Sequence, residues 1–412
     1  MAWKVTQRCI KMQVVKTIEE LELLHYGQSM NYLQKADANM LTTTGGVYNT
    51  IFGAYAWANL NLEANAFSIL PKYVWDKSGF RIITGKAVLT TTNGNTVLGG
   101  TGESGSIAET AKPDVEEVSV KPKIAQIPFG ASTVHEWLAN NSKDDIWGSL
   151  SSLRTYMAVQ HKELLNQMLL ADVQAEAAAA SADYAGTSNW ETLDRLISSD
   201  AEEDAIGGTF ADFYDPWDTL DRDVASKYDS TVVSASGTLN TNGGLTKSTI
   251  ISTLRKTRKA GGKDPNVLLG SHEVYSEIQE IFEPATRYPM GESLVEIDVN
   301  GIKTFNGHGV GLQVASVYGI PFIPTKDAPQ DTNDTSEVGR LFGLDTSDRD
   351  GFGYPRLGIQ IAVPTTYNEA TRNTAAFPFT NGAFTEKGIY WTMGETICRR
   401  FNGNFKIRDI SL

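Results

Sequence analysis

Residues 91–121 read TTNGNTVLGGTGESGSIAETAKPDVEEVSVK, a segment with the residue types of an extended chain and almost no apolar core of its own. Asn93-Gly94 is a strong hairpin signal, and β-branched residues lie on both sides of it. A long β arm that buries little apolar surface does not offset the entropy lost when it becomes ordered. We therefore expect contacts from outside its own domain to order it. Its bulky aliphatic residues are Val97, Leu98, Ile107, Val115, Val118 and Val120.

Length and composition exclude several classes of protein. The chain has 412 residues, of which 41% are hydrophobic, so it is long enough for two or three sub-domains with packed cores. Its net charge of −13 argues against a dedicated nucleic-acid reader, because phosphate binding needs clustered Lys and Arg. Cys9 and Cys398 lie at opposite ends and predict free thiols. The N-terminus lacks the apolar core of a signal peptide, and no run approaches the ~18 apolar residues of a membrane span.

No motif in the chain predicts an active site or a cofactor site. Residues 100–105 match GxGxxG, but a hairpin turn precedes the match and Pro113 closes off any following helix, so we expect a flexible arm tip. Residues 345–351 resemble the start of an EF-hand loop if Thr346 takes position one and Gly351 position six, yet the twelfth position is then Leu357 where calcium needs a carboxylate. The default interpretation is a solvated acidic loop. The histidines are scattered, and His161 is expected to be a hydrogen-bonded core or interface residue.

The region 72–133 is rich in strand-forming residues and contains the arm. Proline lacks a backbone N–H and so cannot donate to a strand ladder, which predicts an edge strand or a loosely paired strand on the return leg. The prolines of that leg are Pro113, Pro122 and Pro128.

The residue pattern changes to a helical period after Asn141-Ser142, which supplies an N-cap. With the alanines up to Ala180, the pattern predicts a helix of about 38 residues and about 55 Å, long enough to act as a structural spine. The predicted apolar stripe contains Ile146, Leu150, Leu153, Met157, His161, Leu164 and Met168.

Residues 181–245 are polar and acidic with isolated aromatic residues, and they indicate a loop-rich insertion, either a surface elaboration or a docking site. A second helix is predicted from Lys247 to Ala260, ended by Gly261-Gly262, and Ser271 caps a third that runs to Phe282. Two groups of basic residues are expected on solvated faces or in subunit salt bridges, with weak DNA contact as the alternative. They are Lys247, Arg255, Lys256, Arg258 and Lys259, and Arg399, Arg400, Lys406 and Arg408.

Several segments, in this order, resemble the major capsid proteins of tailed double-stranded DNA viruses, the Hong Kong ninety-seven type. SIAETAKPDVEEVSVKPKIAQIPFGASTVHEWLANNSKDDIWGSL (106–150) resembles the return leg of that family's extended loop, running into its spine helix. DPNVLLGSHEVYSEIQEI (264–281) and VASVYGIPFIPTKDAP (314–329) resemble its axial domain. ETICRRFNGNFKIRDI (395–410) is similar to the closing strands of its peripheral domain.

The resemblance implies an α+β fold with an N-arm, an extended β-hairpin loop, a spine helix, and peripheral and axial domains. It also sets the expected boundaries along the chain. They are 1–72 for the N-terminal arm and start of the peripheral domain, 73–133 for the extended loop, 134–182 for the peripheral domain with its spine helix, 183–245 for the insertion, 246–365 for mainly the axial domain, and 366–412 for the return to the peripheral domain and the C-terminal strands.

The function implied by the resemblance is structural, without catalysis or cofactor. Copies of the chain would form hexamers and pentamers of an icosahedral shell around packaged double-stranded DNA, assembled in the host cytoplasm and carried in the virion. Implied partners are other copies, a portal, and scaffold or decoration proteins, with no membrane. The alternatives are an encapsulin-like compartment or a β-rich surface binding protein. Expected intersubunit residues of the extended loop are Asn93, Gly94, Val97, Leu98, Ile107, Glu109 and Lys112.

Overall fold

The computed structural model of the chain forms two compact units. One contains the described residues of 126–162 and 365–392, and the other those of 63–125, 163–364 and 393–412. The residues that the structure describes are 63–88, 100, 103–105, 111–134, 137, 150–172, 189–206, 217, 220, 222, 227–282, 298–299, 302–303, 315–331, 338–348, 353–371 and 384–412.

Six α-helices occur in the described part of the chain, and their ends follow ordinary capping rules. Thr246 accepts a hydrogen bond from the N–H of Thr249, and Gly262 ends the same helix in the left-handed region at φ 80°. The oxygen of Ser271 accepts a hydrogen bond from the N–H of Val274, as its predicted capping role requires. The helices are α1 (Asn65–Ile69), α2 (Leu150–Leu170), α3 (Leu193–Leu196), α4 (Asp200–Ile206), α5 (Lys247–Gly261) and α6 (His272–Phe282).

Helix α2 is the predicted spine helix, and burial extends nearly all the way around it. Among its described side chains, Gln167 is the exposed one. The predicted stripe is partly wrong, because Met157, Leu164 and Met168 are half-buried, whereas positions outside the stripe such as Arg154 and Leu165 are fully buried. A helix that is enclosed on all sides does not need a single apolar face, so the sequence pattern does not fix its buried positions. The predicted ends of the spine, 141–149 and 173–180, lie outside the described residues. The buried positions include Arg154, Ala158, His161, Leu165 and Leu169.

The described strands form two larger sheets and two hairpins. Their bounds are β1 (Lys72–Val74), β2 (Gly79–Gly85), β3 (Asp114–Ser119), β4 (Lys123–Ser132), β5 (Thr231–Ser234), β6 (Val267–Gly270), β7 (Asp298–Val299), β8 (Ile302–Lys303), β9 (Ala315–Val317), β10 (Ile320–Pro324), β11 (Gln330–Asp331), β12 (Val338–Leu344), β13 (Leu357–Ala370), β14 (Thr385–Cys398) and β15 (Phe405–Ser411). Strands β2 and β3 pair with each other, as do β7 and β8.

The seven-stranded sheet has the order β5-β15-β12-β6-β10-β9, with β11 added to β12. It is mixed, since β12 runs antiparallel to β6 and β15 while β6 and β10 are parallel. Alternate residues of its strands belong to two apolar clusters, as the period of a strand requires. Leu268, Phe322 and Leu341 pack with α5 and α6 in one cluster. Leu269 and Phe342 belong to the other, so both faces of the sheet are covered.

A β-bulge lies in β15 opposite β12. The register shifts between Gly339 and Leu341, and Asp409 has a left-handed φ of 59°. The extra residue changes the alternation of side chains along the strand, so that Ile410 returns to the cluster that contains Ile407. The bulge therefore allows Lys406 and Arg408 to share one face while Ile407 and Ile410 share the other.

The described part of 183–245 corrects the expected surface elaboration. Strand β5 is the edge strand of the seven-stranded sheet, paired parallel with β15. Trp190 has no exposed surface and donates its indole N–H to the carbonyl of Lys123 at 3.2 Å. Among the described residues of this region, the aromatic side chains Trp190, Trp217 and Tyr228 are core residues, and the acidic residues include buried members of an ion-pair network. The buried apolar residues of the region are Trp190, Leu193, Leu196, Ile197, Trp217, Leu220 and Tyr228.

The four-stranded sheet has the order β1-β13-β14-β4. Strand β4 is therefore at an edge, as predicted from the prolines of the return leg, and Pro128 lies within it. Its neighbours in the first unit are aromatic. Phe129 stacks on Tyr367 and Tyr390 with centroid distances of 6.0 and 5.9 Å. His161 stacks on Tyr390 at 6.3 Å and bonds through Nε2 to the hydroxyl of Thr392 at 2.8 Å, so its predicted role as a hydrogen-bonded core residue is confirmed.

Gly343→Ala is expected to destabilise the second unit by about 1–3 kcal/mol, the usual cost of overpacking a core. Gly343 pairs with Phe405 across β12 and β15, and an added methyl group would overlap the Phe405 ring. Denaturant unfolding measures the change. Gly244→Ala is the matched control, because an added methyl group there meets nothing within 4 Å. Equal stability of the two variants would contradict this packing.

Candidate assembly surface

The base of the predicted extended loop is a regular antiparallel hairpin. Strand β2 pairs with β3 in a register that places Phe80 opposite Val118, Ile82 opposite Glu116 and Ile83 opposite Val115. Because side chains alternate along each strand, the two faces of this hairpin have different surroundings. One face packs on the core of the second unit, and the other is open.

The inner face of the hairpin is anchored to the core. Val118 is 2% exposed, and Phe80 meets the ring of Trp217 edge-on at 6.0 Å. The carboxylate of Glu116 accepts hydrogen bonds from Lys227 and from the hydroxyl of Tyr228. Trp217, Lys227 and Tyr228 therefore hold the hairpin base, which the sequence did not reveal.

The outer face of the hairpin presents an apolar pair to solvent. Ile83 and Val115 are direct cross-strand partners, and they are 69% and 49% exposed. Beside them Arg81 pairs with Glu117 at 2.7 Å, with both side chains 74% exposed. Two aliphatic side chains that lie side by side on an exposed face would be stabilised if another molecule covered them and removed them from water. The pair is therefore a candidate contact for another molecule. We define the outer face as Arg81, Ile83, Val115 and Glu117. Sequence reasoning missed Ile83, although the alternation after Gly79 contained the signal.

Strand β4 begins at a buried charge cluster. The ammonium of Lys123 lies 2.8 Å from Glu395 Oε2, and the N–H of Glu191 donates to Glu395 Oε1 at 2.6 Å. Arg195 Nε lies 3.4 Å from Glu191 Oε1. Burial, together with the charge of Glu191, raises the pKa of Glu395 to about 7, against the lowering effect of Lys123. The return leg of the hairpin thus enters the core beside a carboxyl group that titrates near neutral pH.

Most of the predicted intersubunit residues of the extended loop lie outside the described residues, so those predictions remain untested. Lys112 is described and lies in an exposed segment immediately before β3. The GxGxxG match also falls partly outside the described residues. The predicted residues that lie outside are Asn93, Gly94, Val97, Leu98, Ile107 and Glu109.

Asp345, at the start of the acidic loop after β12, is buried and bonded within the protein. One carboxylate oxygen of Asp345 accepts from Arg356 at 2.7 Å, and the other accepts from the hydroxyl of Ser347 at 2.5 Å. Within the residues that the structure describes, no group of His, Cys, Asp and Glu is arranged to hold a metal ion.

Cys398 is a buried free thiol whose pKa is raised to about 12 by burial. No described helix is long and apolar enough to span a membrane.

Two basic residues near the C-terminus belong to an internal network, which corrects the expected solvated face. Lys406 is fully buried and lies 2.9 Å from Asp194 Oδ1 and 2.7 Å from Glu202 Oε2. Arg408 reaches Glu202 Oε1 at 2.8 Å, and Arg340 reaches Asp194 Oδ2 at 2.6 Å. Burial raises the pKa of Asp194, but Arg340, Lys406 and Arg408 outweigh it and lower that pKa to about 2. These cations are therefore unavailable to DNA.

Comparison with solved structures decides the fold. A capsid asymmetric unit of cyanophage A-1(L) aligns over 90% of this chain and 98% of its own, with a TM-score of 0.56 and 15% sequence identity. The chain has the phage major capsid fold. The predicted α+β fold of the Hong Kong ninety-seven type is thus confirmed.

Further structures show weaker likeness to this capsid fold. The capsid of an empty GTA particle is 10% identical, covers 86% of this chain and 99% of its own, and has a TM-score of 0.46. The holo-SrpI encapsulin complex of Synechococcus elongatus is 10% identical, covers 86% and 93%, and has a TM-score of 0.40. No protein-family model matches the sequence, and no curated protein sequence matches it.

Proposed function

We propose that this chain is a major capsid protein, a structural subunit of an icosahedral shell around double-stranded DNA. The observation that carries the proposal is the fold shared with the cyanophage capsid subunit along 90% of this chain and 98% of that one. The subunit would form hexamers and pentamers, with a portal and scaffold or decoration proteins as further partners. Assembly would take place in the host cytoplasm, and the mature location would be the virion.

The exposed outer face of the hairpin supports this role. The inner face of the hairpin is held by Trp217, Lys227 and Tyr228. The position of Ile83 and Val115 therefore does not depend on a neighbouring subunit. A preorganised apolar pair loses little conformational entropy when it binds, which favours its use as a contact. The extended loop would then lie on another subunit and obtain from it the apolar contacts that the sequence of the loop lacks.

Electron microscopy of the expressed full-length chain tests the proposed function. We expect closed shells, tubes or capsomers, whereas small monodisperse particles would refute it. The nucleic acid extracted from particles made during phage growth separates a virion shell from a protein compartment. Double-stranded DNA supports the capsid, and a protein cargo without DNA supports the encapsulin-like alternative.

Replacing residues 89–110 by a short Gly-Ser linker is expected to leave a folded subunit that no longer forms stable shells. This deletion keeps β2 and β3, because Val118 and Val120 are core residues that a wider deletion would remove. Circular dichroism checks folding and microscopy checks assembly. Normal shells from this variant would contradict the proposed role of the loop.

Ile83→Ser with Val115→Ser is expected to weaken assembly while changing subunit stability by less than about 1 kcal/mol, because both side chains are largely exposed. Assembly is measured as the fraction sedimenting as shells. Val74→Ser is the matched control, since Val74 is 79% exposed but lies outside the hairpin. If the control and the double variant lose assembly equally, the outer face has no special role.

A further inference from the structure

Two helices on one face of the seven-stranded sheet have opposite charge. Helix α5 has the sequence KSTIISTLRKTRKAG, with five basic residues and no acidic one. Helix α6 has the sequence HEVYSEIQEIF, with three acidic residues and no Lys or Arg. Such strict separation exceeds what the helix dipole favours, since that effect concerns only the first and last turns. We define the basic face as Arg255, Lys256, Arg258 and Lys259, and the acidic face as Glu273, Glu277 and Glu280.

Both helices bury their apolar sides in the same cluster. Ile250 and Leu254 of α5 and Val274 and Ile278 of α6 pack together with the sheet. Helix α5 contacts β5 and β15, whereas α6 contacts β10 and β12. In the sheet order these are different halves of one face, and the two helices meet where Lys247 of α5 lies 5.7 Å from the ring of Phe282 of α6.

A groove with an apolar floor borders the basic face. Ile251, Leu254 and Ile320 line it together with Tyr318. Tyr318 is 47% exposed at the β9–β10 turn, and its ring meets Phe282 edge-on at 5.6 Å. Phosphate groups would leave this apolar floor uncovered. A protein surface with acidic side chains would pair with the basic rim and also exclude water from the floor.

The cations at the rim of the groove are of two kinds: one is held in an ion pair within the chain, and the others are not. Arg258 forms a forked pair with Asp264, with distances of 2.9 and 2.6 Å. Arg255, Lys256 and Lys259 are exposed and form no ion pair within the described part of the chain. The positive charge of this rim is therefore available to a partner.

The three glutamates of the acidic face form a row along α6 that could pair with the cations of the groove rim. Glu273, Glu277 and Glu280 are separated by four and three positions, so they follow one another along one side of α6 over about 10 Å. Among the described residues, Glu277 and Glu280 also form no ion pair. The chain thus carries two complementary faces that it does not join to each other.

We infer that the basic face of α5 in one copy of the chain docks on the acidic face of α6 in another copy. The inference rests on the proposed function, because it specifies a contact within the assembled shell. Different patches that meet in this way form a head-to-tail interface, the type that closes into rings. Charge complementarity would also orient the encounter and suppress wrong pairings.

Two charge-reversal variants of the full-length chain test this contact. Arg255→Glu with Lys259→Glu makes both faces acidic, and Glu277→Lys with Glu280→Lys makes both faces basic. Each variant alone is expected to assemble about tenfold less than wild type, because like charges then meet at the contact. Mixing the two is expected to restore hexamers to within about twofold of wild type, since unlike copies can alternate around a ring of six, whereas a ring of five always leaves two like copies in contact. Asp204→Lys, an exposed reversal on α4, is the control that should assemble normally.

The outcomes separate this inference from the proposed function. Failure of the wild-type chain to assemble would overturn both. If the wild type assembles and the two reversal variants assemble equally well, the contact is wrong while the capsid function stands. Normal assembly with reduced retention of double-stranded DNA in the Arg255→Glu, Lys259→Glu variant would assign the basic face to DNA instead. The milder Arg255→Gln, Lys259→Gln variant keeps the test valid if a reversal misfolds: it should lose the salt sensitivity of assembly, and an unchanged salt sensitivity overturns the contact.

Discussion

Asp194→Ala is expected to lower the free energy of unfolding by about 3–5 kcal/mol, the cost of leaving a buried cation without its partner. Asp194 has no exposed surface, and it accepts the ammonium of Lys406 at 2.9 Å and the guanidinium of Arg340 at 2.6 Å. Alanine would leave both cations in the core with less negative charge around them. Neither can regain water without opening β12 and β15.

Denaturant unfolding of the unassembled subunit measures this effect, with Glu117→Ala as the matched control. Glu117 also loses an ion pair, with Arg81 at 2.7 Å, but both side chains are 74% exposed. Exposed pairs of this kind contribute about 0–1 kcal/mol, so the control should remain close to wild type. A loss from Asp194→Ala as small as that from the control would mean that the network is not closed to solvent.

Two buried groups are expected to oppose each other in the pH dependence of stability. Burial lowers the pKa of His161 to about 4 from 6.5, so its contribution is present above pH 6.5 and lost as the pH falls toward 4. Burial raises the pKa of Glu395 to about 7 from 4.5, so its contribution is present below pH 4.5 and lost as the pH rises toward 7. Each shift corresponds to about 3 kcal/mol, and in the wild type the two largely cancel.

Single variants should reveal each half of this balance. The His161→Gln variant keeps only the contribution of Glu395. Its free energy of unfolding is expected to fall by about 3 kcal/mol from pH 4.5 to 7. Glu395→Gln leaves the contribution of His161, and stability is expected to rise by a similar amount from pH 4 to 6.5. Unfolding free energies measured across this range check both slopes. Parallel profiles for wild type and both variants would contradict the assigned pKa shifts.

Local signals predicted much of the fold. The strand-forming residues on both sides of the arm correctly indicated paired strands, which the structure shows as β2 and β3, whereas the hairpin signal at Asn93-Gly94 lies outside the described residues. Thr246, Gly262 and Ser271 delimit α5 and α6 by capping interactions within a few residues of sequence. The prolines of the return leg predicted an edge strand, because a missing N–H excludes a residue from the interior of a sheet.

The candidate assembly surface was only partly predictable. The lack of apolar residues predicted an extended loop, whose role remains a prediction, but the exposed Ile83 and Val115 pair depends on which face of the hairpin meets the core. Trp217, Lys227 and Tyr228 decide that face, and they come from a segment whose polar composition indicated a surface insertion. Hydrophobic periodicity did not identify this segment as core, because its described aromatic residues are isolated along the chain and a charged residue, Arg222, is buried among them.

The sequence by itself determined the elements of this protein: the hairpin, the helix ends, the edge strand, and the order that resembles a phage capsid subunit. Each of these depends on interactions between residues that are close along the chain or on the absence of a backbone donor. Only the tertiary structure decided which charges are internal. Asp194 and Lys406 are 212 positions apart, and the buried charge of each is neutralised by partners, among them the other, that are distant along the chain. Burial of a charge depends on its partner, and the position of a distant partner is a property of the fold.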